Sequence, residues 1–293
     1  MTEVKFPSMV DMPDKEYFAH PAIDQSALKN LMKSPRDFAY FQTHEREVTD
    51  SLIFGKCAHS LVLGSGPLVT LKPDMRTNAG KAAYQQMLEE HDADDIEFVS
   101  KKDRQRLDDM LENAPDMKAM YGGKPEIAMF AADPSTGFQL KGKADWLPEG
   151  PDEDGTYWIV DYKTTSMSTE KLFNRKAVAR DVQNFGYHIQ AAFYMRLYRL
   201  ITGTHRPLRF VFWFQQTKPP YNTKRWFLDE LQPEITEIAN KKIDLALGDL
   251  KWWKEHGWLD VMLDSNYAPE PEQIQFDDWQ LLDEEERIDQ WQN

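Results

Sequence analysis

The pattern of apolar and polar positions divides this chain near residue 126 into a helical first part and a strand-rich second part. Residues 1–20 carry neither period and read as an irregular arm. Ser26 reads as the N-cap of a helix over residues 27–33, and Ser34-Pro35 ends that helix and opens another, with Phe38, Tyr40 and Phe41 available for packing. Residues 51–63 predict a helix carrying Gly55, Ala58 and His59, and residues 78–115 are polar, rich in both charges and helical in pattern. From there, residues 126–131, 138–147, 157–162 and 208–216 read as strands, with aromatic and β-branched residues bounded by Pro, Gly and Asp. The loop over residues 148–155 is a hairpin connection, so the strands on either side of it should be antiparallel neighbours. Residues 182–201 predict one helix, with Tyr187, Ala191, Tyr194, Tyr198 and Ile201 at helical spacing. Residues 224–228 suggest a further strand and residues 235–253 a further helix. The expected fold class is α/β: a central mixed sheet flanked by helices.

Composition changes this picture little. The 293 residues, 41% hydrophobic and 29% charged, suffice for one large domain with a full core. The expected organisation is an N-terminal arm (1–25), a main domain (26–263) and an acidic tail (264–293). No run of 18 apolar residues occurs and the N-terminus has no apolar signal region, so no membrane span is expected and a cytoplasmic protein is the default. The single cysteine, Cys57, excludes an internal disulfide and a four-cysteine metal or iron–sulfur site.

Charge raises an objection to nucleic acid as a partner. The net charge is −14, but residues 264–293 hold ten acids and one base, a charge of −9, leaving −5 over the first 263 residues. A basic groove on the body is compatible with that balance, although composition does not show one. The tail, with Trp279 and Trp291, reads either as a docking segment or DNA-charge mimic, or as a solvated disordered terminus.

The candidate chemistry lies at strand ends. Asp161 and Lys163 are two residues apart at the end of the strand 157–162, so they share a face where it stops, and Asp145 ends the preceding strand. A D-x-K tripeptide alone reads equally as a solvated strand end. With a second carboxylate alongside, it can hold a divalent metal, place a phosphate and position a water. Mg²⁺, with Mn²⁺ as a substitute, prefers hard oxygen ligands and keeps several waters, so two or three acids suffice. Glu126 is a third acid, the Tyr162 carbonyl another oxygen, and Lys163 would orient water or stabilise phosphate charge. Gln190 and Tyr194 share a helix face at i and i+4. Gln190 needs a polar partner on an otherwise apolar face, whereas Tyr194 reads as core or as a substrate contact. Thr164, next to the lysine, is a further candidate substrate contact. Arg76 and Lys81 read either as phosphate contacts or as solvated loop charges.

In order, Glu126, Gly142-Lys143-Ala144-Asp145, Asp161-Tyr162-Lys163 and Gln190-Ala191-Ala192-Phe193-Tyr194 resemble the signature of the PD-(D/E)XK nuclease superfamily. Residues 26–38 and the G-x-x-x-H helix around Gly55 and His59 are similar to the opening helices of RecE-type exonucleases (exodeoxyribonuclease VIII). The resemblance runs from about Ser26 to Gln216. It implies a metal-dependent 5′→3′ exonuclease on double-stranded DNA ends, partnered by a single-strand annealing protein in phage-type recombination. It also implies a homo-oligomeric ring of three or four subunits. It makes His59 a metal-site residue, which as a lone helical histidine would otherwise read as structural. Asp145 and Asp161 become metal ligands, Lys163 the catalytic lysine, and Glu126 and Gln190 supporting site residues. An endonuclease or structure-specific repair nuclease on the same fold and a non-catalytic DNA-binding or interaction module are the alternatives. Asp145, Asp161 and Lys163 are all present, which argues against the last.

Overall fold

The computed structural model describes residues 4–44, 47–91, 95–230, 233–258 and 278–292, together with positions 260, 273, 275 and 277. Along the chain, β1 (Ser8–Asp11) and α1 (Asp14–Ala19) lead into α2 (Gln25–Lys33), α3 (Pro35–Thr43) and α4 (Asp50–Leu63). A small parallel pair, β2 (Leu68–Leu71) and β3 (Ile96–Val99), brackets α5 (Asn78–Glu90) and precedes α6 (Lys101–Leu111) and α7 (Met117–Tyr121). Next come β4 (Lys124–Ala132), β5 (Gln139–Leu147), β6 (Tyr157–Thr165), α8 (Thr169–Leu172), α9 (Arg175–Asn184) and α10 (Tyr187–Thr202). The order closes with β7 (Leu208–Gln216), β8 (Thr223–Asp229), α11 (Glu234–His256) and, in the acidic tail, α12 (Asp278–Gln292).

The main sheet has six strands in the order β1-β4-β5-β6-β7-β8. Every neighbouring pair is antiparallel except β6 and β7, so the sheet is mixed, as expected. Parallel neighbours need a long crossover, and α8, α9 and α10 supply it. β7 is covered on both faces, which explains its continuous apolar run. Phe210, Phe212 and Phe214 join Phe193 and Leu197 of α10 in one core, while Val211 and Trp213 join Leu107, Met110 and Tyr162 in another. Among the described residues no helix is long and apolar enough to cross a membrane.

The structure departs from the sequence reading in four places, three of them in the helical first part. The segment expected to be irregular contains a strand and a helix: β1 pairs with β4, and the buried Lys141 ammonium closes the C-terminal end of α1. Its Nζ donates to the carbonyls of Tyr17 at 2.8 Å and His20 at 2.7 Å. Four edge residues carry too little periodicity to announce a strand. Asp24, not Ser26, caps α2, accepting the Ala27 amide at 2.8 Å, and Ser26 lies inside the first turn. The Ser34-Pro35 boundary holds, with Ser34 capping Asp37 at 3.0 Å and Pro35 in the first turn of α3. The expected helix over 182–201 is two helices, because Gly186 adopts a left-handed φ of 62° between α9 and α10. Within 78–115, β3 interrupts the helices by pairing with β2. Of the tail expected to be a docking segment or a disordered terminus, residues 264–272, 274, 276 and 293 lie outside the described residues, while 278–292 form a helix.

Candidate metal and catalytic site

The site opens where β5 and β6 part. The two strands register with Trp146 opposite Val160, and beyond that point the Asp145 carboxylate takes the place of a ladder partner: its Oδ2 accepts the Tyr162 amide at 2.7 Å. Amide and carbonyl of one strand residue point to the same side, so the Tyr162 carbonyl shares this edge. The Tyr162 ring is fully buried, packs edge-on against the His59 ring with centroids 5.0 Å apart, and donates its hydroxyl to Gln215.

Helix α4 brings in the histidine. A Cβ on Gly55 would stand 3.3 Å from Thr164 Oγ1, so the glycine lets the helix lie close against the end of β6. The Gly55 carbonyl sits 3.1 Å from His59 Nδ1 and fixes the ring one turn later. With Nδ1–H donating there, Nε2 points at Asp145 Oδ2, 3.1 Å away. Burial alone would lower the His59 pKa; the Asp145 carboxylate and its hydrogen bond reverse this and raise it. Burial likewise opposes ionisation of Asp145, but His59, Lys163 and the Tyr162 amide together hold its pKa below the usual range.

Asp161 is 2% exposed. Its Oδ1 accepts from Gln190 Nε2 of α10 at 2.6 Å, and its Oδ2 lies 2.7 Å from Lys163 Nζ. That second contact is a charge-assisted ion pair, so this buried carboxylate oxygen faces the Lys163 ammonium. Burial pushes the Asp161 pKa up to about 6, with the Asp145 charge adding to it and Lys163 opposing it. For Lys163 burial favours the neutral form, yet Asp161 and Asp145 outweigh it and raise the pKa, keeping the ammonium charged. Its Nζ also lies 5.1 Å above the Tyr187 ring.

Glu126 faces Asp145 across the β4–β5 pair, between the registered pairs Pro125–Trp146 and Ile127–Ala144. Its φ of 54° is left-handed, a conformation costing on the order of 1–3 kcal/mol outside glycine. Burial, then the Asp145 charge, pushes its pKa up to about 7. Lys143 counters this from the same motif, pairing with Glu126 at 2.9 Å and with Asp14 of α1 at 2.5 Å.

His59, Asp145, Asp161, Tyr162, Lys163, Glu126 and Gln190 are thus brought together, and Thr164 borders them through its approach to Gly55. Tyr194 is buried beneath the site, its ring against Gly142 and 5.8 Å from that of Phe210, and in that position it packs rather than meeting substrate. Arg76 pairs with Asp74 before α5 and Lys81 is exposed on that helix; no ion pair or hydrogen bond found among the described residues ties either to the cluster. Lys143 and Tyr187 enter the sequence reading only as a motif position and a helical-period position, and neither is predicted as a site residue. Lys143 sits inside G-x-x-D, but charge pairing with Glu126 and Asp14 has no local sequence signal.

Among the described residues, no three His, Cys, Asp or Glu side chains already stand in coordinating geometry. His59 contacts Asp145 directly, and Asp161 faces Lys163. The donor chemistry nevertheless fits a hard divalent cation: the Asp145 and Asp161 carboxylate oxygens, one imidazole nitrogen and a carbonyl. Holding one would require His59 Nε2 to exchange its Asp145 contact for the cation.

No curated protein matches the chain. Among solved structures, a predicted exonuclease from Eubacterium rectale aligns with a TM-score of 0.56 at 12% identity, covering 90% of this chain and 97% of its own. A phage-related exonuclease from Haemophilus somnus 129PT aligns more loosely, with a TM-score of 0.34 and 12% identity over 81% of this chain and 97% of its own. At such identities the first likeness concerns the fold alone. Residues 25–257 match the PDDEXK-like domain of unknown function (DUF3799), the greater part of the sequence and the whole of the cluster just described. The chain belongs to that PDDEXK-like family.

Proposed function

We propose that this protein is a Mg²⁺-dependent 5′→3′ exonuclease that degrades linear double-stranded DNA to 5′-mononucleotides and leaves a 3′ single strand for recombination. The observation that carries the reading is the convergence of His59 Nε2, Asp145 Oδ2 and the buried Asp161 Oδ2 beside the Lys163 ammonium. His59, Asp145, Asp161 and the Tyr162 carbonyl would hold the cation. Mg²⁺, or Mn²⁺ in its place, supplies phosphate charge neutralisation and a more acidic bound water.

The remaining work falls to the chain. Lys163, kept cationic by two carboxylates, is suited to stabilising charge on the phosphate rather than to removing a proton. Gln190 holds Asp161 in one orientation through Oδ1 and leaves Oδ2 turned to the site. Glu126, pushed up to about 7, can hold or release a proton near neutrality on the far side of Asp145. A ring of three or four subunits and an annealing-protein partner belong to the same proposal and rest on the RecE-type resemblance.

The test is release of 5′-mononucleotides from linear duplex DNA with Mg²⁺, its arrest by EDTA, and its absence with covalently closed circles. Asp161→Asn, which preserves shape but removes charge, should nearly abolish release while the fold survives. Cutting of closed circles would replace the exonuclease reading with an endonuclease. Absence of hydrolysis on every DNA form with Mg²⁺ or Mn²⁺ would overturn the nuclease reading itself.

A further inference from the structure

Beside Lys163 lies a cleft of about 580 Å³ that the chemistry above does not use. Its volume falls within the roughly 300–1,000 Å³ typical of small-molecule sites. One wall is hydroxyl-rich and follows directly from the D-x-K strand: Thr164, Thr165, Ser166 and Ser168, with Lys171 one turn on. The opposite wall is aromatic. Phe185 stacks on Tyr187 with ring centroids 5.5 Å apart and planes at 28°, and Tyr187 in turn stacks on the buried Phe212 at 5.6 Å and 30°. A column of rings therefore runs from the core to the surface, and Lys163 Nζ sits 5.1 Å above its middle member.

The outermost ring is 58% exposed. Single exposed apolar side chains are ordinary and need no explanation. This one differs in being stacked: Tyr187 lies against the ring, and the left-handed Gly186 forms the break between α9 and α10 on which it stands. A phenyl ring with one face supported, lining a polar cleft that also carries Lys171 and has the Lys163 ammonium against its Tyr187 wall, matches two separate needs of a nucleotide. The base needs a planar apolar surface, and the sugar–phosphate needs hydroxyl donors and a cation. Asp181 also lines the cleft and repels phosphate, so the backbone is expected along the side formed by Thr164 to Lys171.

We propose that Phe185, stacked on Tyr187, forms a nucleobase-stacking subsite that receives one unpaired base of the strand whose backbone runs along residues 164–171 to Lys163. The proposal rests on the nuclease reading and extends it. Because a base inside a duplex has no free face, the subsite favours single-stranded or frayed ends. Stacking does not distinguish among the four bases, so little sequence preference is expected.

The experiment measures binding by the full-length protein, with Ca²⁺ in place of Mg²⁺, of two probes. One is a short single-stranded DNA oligonucleotide and the other an abasic sugar–phosphate oligomer of the same length. Phe185→Leu keeps an apolar side chain but removes the π-face, and Phe185→Trp enlarges that face. For the ordinary oligonucleotide, Phe185→Leu should raise Kd by about 5- to 150-fold, the range for losing one stacked base, and Phe185→Trp should bind as well as the native chain. For the abasic oligomer, all three proteins should bind alike and weakly. Equal losses on both probes would show that the ring supports the fold of the cleft rather than a base, and would overturn the subsite. Equal affinities of all three proteins for the ordinary oligonucleotide would overturn it as well, while leaving the nuclease reading intact if linear duplex is still degraded. A native chain that binds neither probe and degrades no DNA would overturn both.

Discussion

Replacing Gly142 by Ala tests how the strand bearing Asp145 and the helix bearing Gln190 are held together. A Cβ at this position would stand 2.8 Å from Leu197 Cδ1 and 3.0 and 3.1 Å from Tyr194 Cε1 and Cδ1. Carbon atoms in favourable contact are about 3.5–4.0 Å apart, so the helix or its side chains must retreat by roughly 0.5–1 Å. Leu197 is 0% exposed and Tyr194 6%, so neither has open space to enter. Overpacking of this kind costs about 1–3 kcal/mol. In a domain of this size each kcal/mol corresponds to about 2–4 °C, so Tm should fall by roughly 2–12 °C. Activity should fall with it, because Gln190 lies one turn before Tyr194 on the same helix face. A retreat of α10 would draw Gln190 Nε2 away from its 2.6 Å contact with Asp161. Thermal unfolding and initial rates on linear duplex DNA give the two readouts. Shortening the opposing side chain with Leu197→Ala should make room, so the double variant should lose less stability than the two single losses combined. Unchanged Tm and rate in Gly142→Ala, or strict additivity with Leu197→Ala, would refute the close-approach argument.

Three further outcomes are expected. Lys163→Ala should slow cleavage by about a hundredfold or more while metal affinity, measured by calorimetry, persists; Lys163→Arg should not rescue it, since the guanidinium is larger and planar. Deleting residues 264–293 removes a charge of −9 and should leave the nuclease active, with DNA affinity unchanged or somewhat tighter in filter binding; a folded but inactive truncation would assign the tail to the active assembly. His20 should make docking of the N-terminal segment sensitive to acid. Burial, then the Lys141 charge, lowers its pKa, and Nδ1 accepts the Ala22 amide at 3.2 Å, so the docked state favours the neutral ring. The undocked ring protonates first, so this stabilisation is complete above about pH 6.5 and is lost as pH falls towards the lowered value. Hydrogen exchange at residues 8–11, corrected for intrinsic rates, should accelerate below about pH 6.5, and His20→Asn should remove that dependence.

The linear chain was enough to place the β4–β7 strands, because aromatic and apolar residues between bounding Pro, Gly and Asp mark each of them. It also showed that a hairpin joins β5 to β6, and that Asp161 and Lys163 leave one strand on one face, since side-chain direction alternates residue by residue. Asp145 and Gln190 were legible by type and spacing. What the sequence could not decide depends on groups far apart in the chain. The Asp24 cap and the break at Gly186 were missed because cap choice and a left-handed residue are settled by backbone geometry, which helical periodicity does not encode. β1 exists as a strand only because β4 offers it an open edge. The left-handed backbone of Glu126, the Lys143 bridge to Asp14 and the aromatic column under Phe185 are products of packing between strands, an arm and a crossover helix. The glycines at 55 and 142 are visible as letters in a motif, but their purpose appears only once α4 lies against Thr164 and α10 against β5. Chemistry-bearing residue types are written locally, whereas distance, burial and the ionisation that follows from them arise only when remote segments share one low-dielectric space.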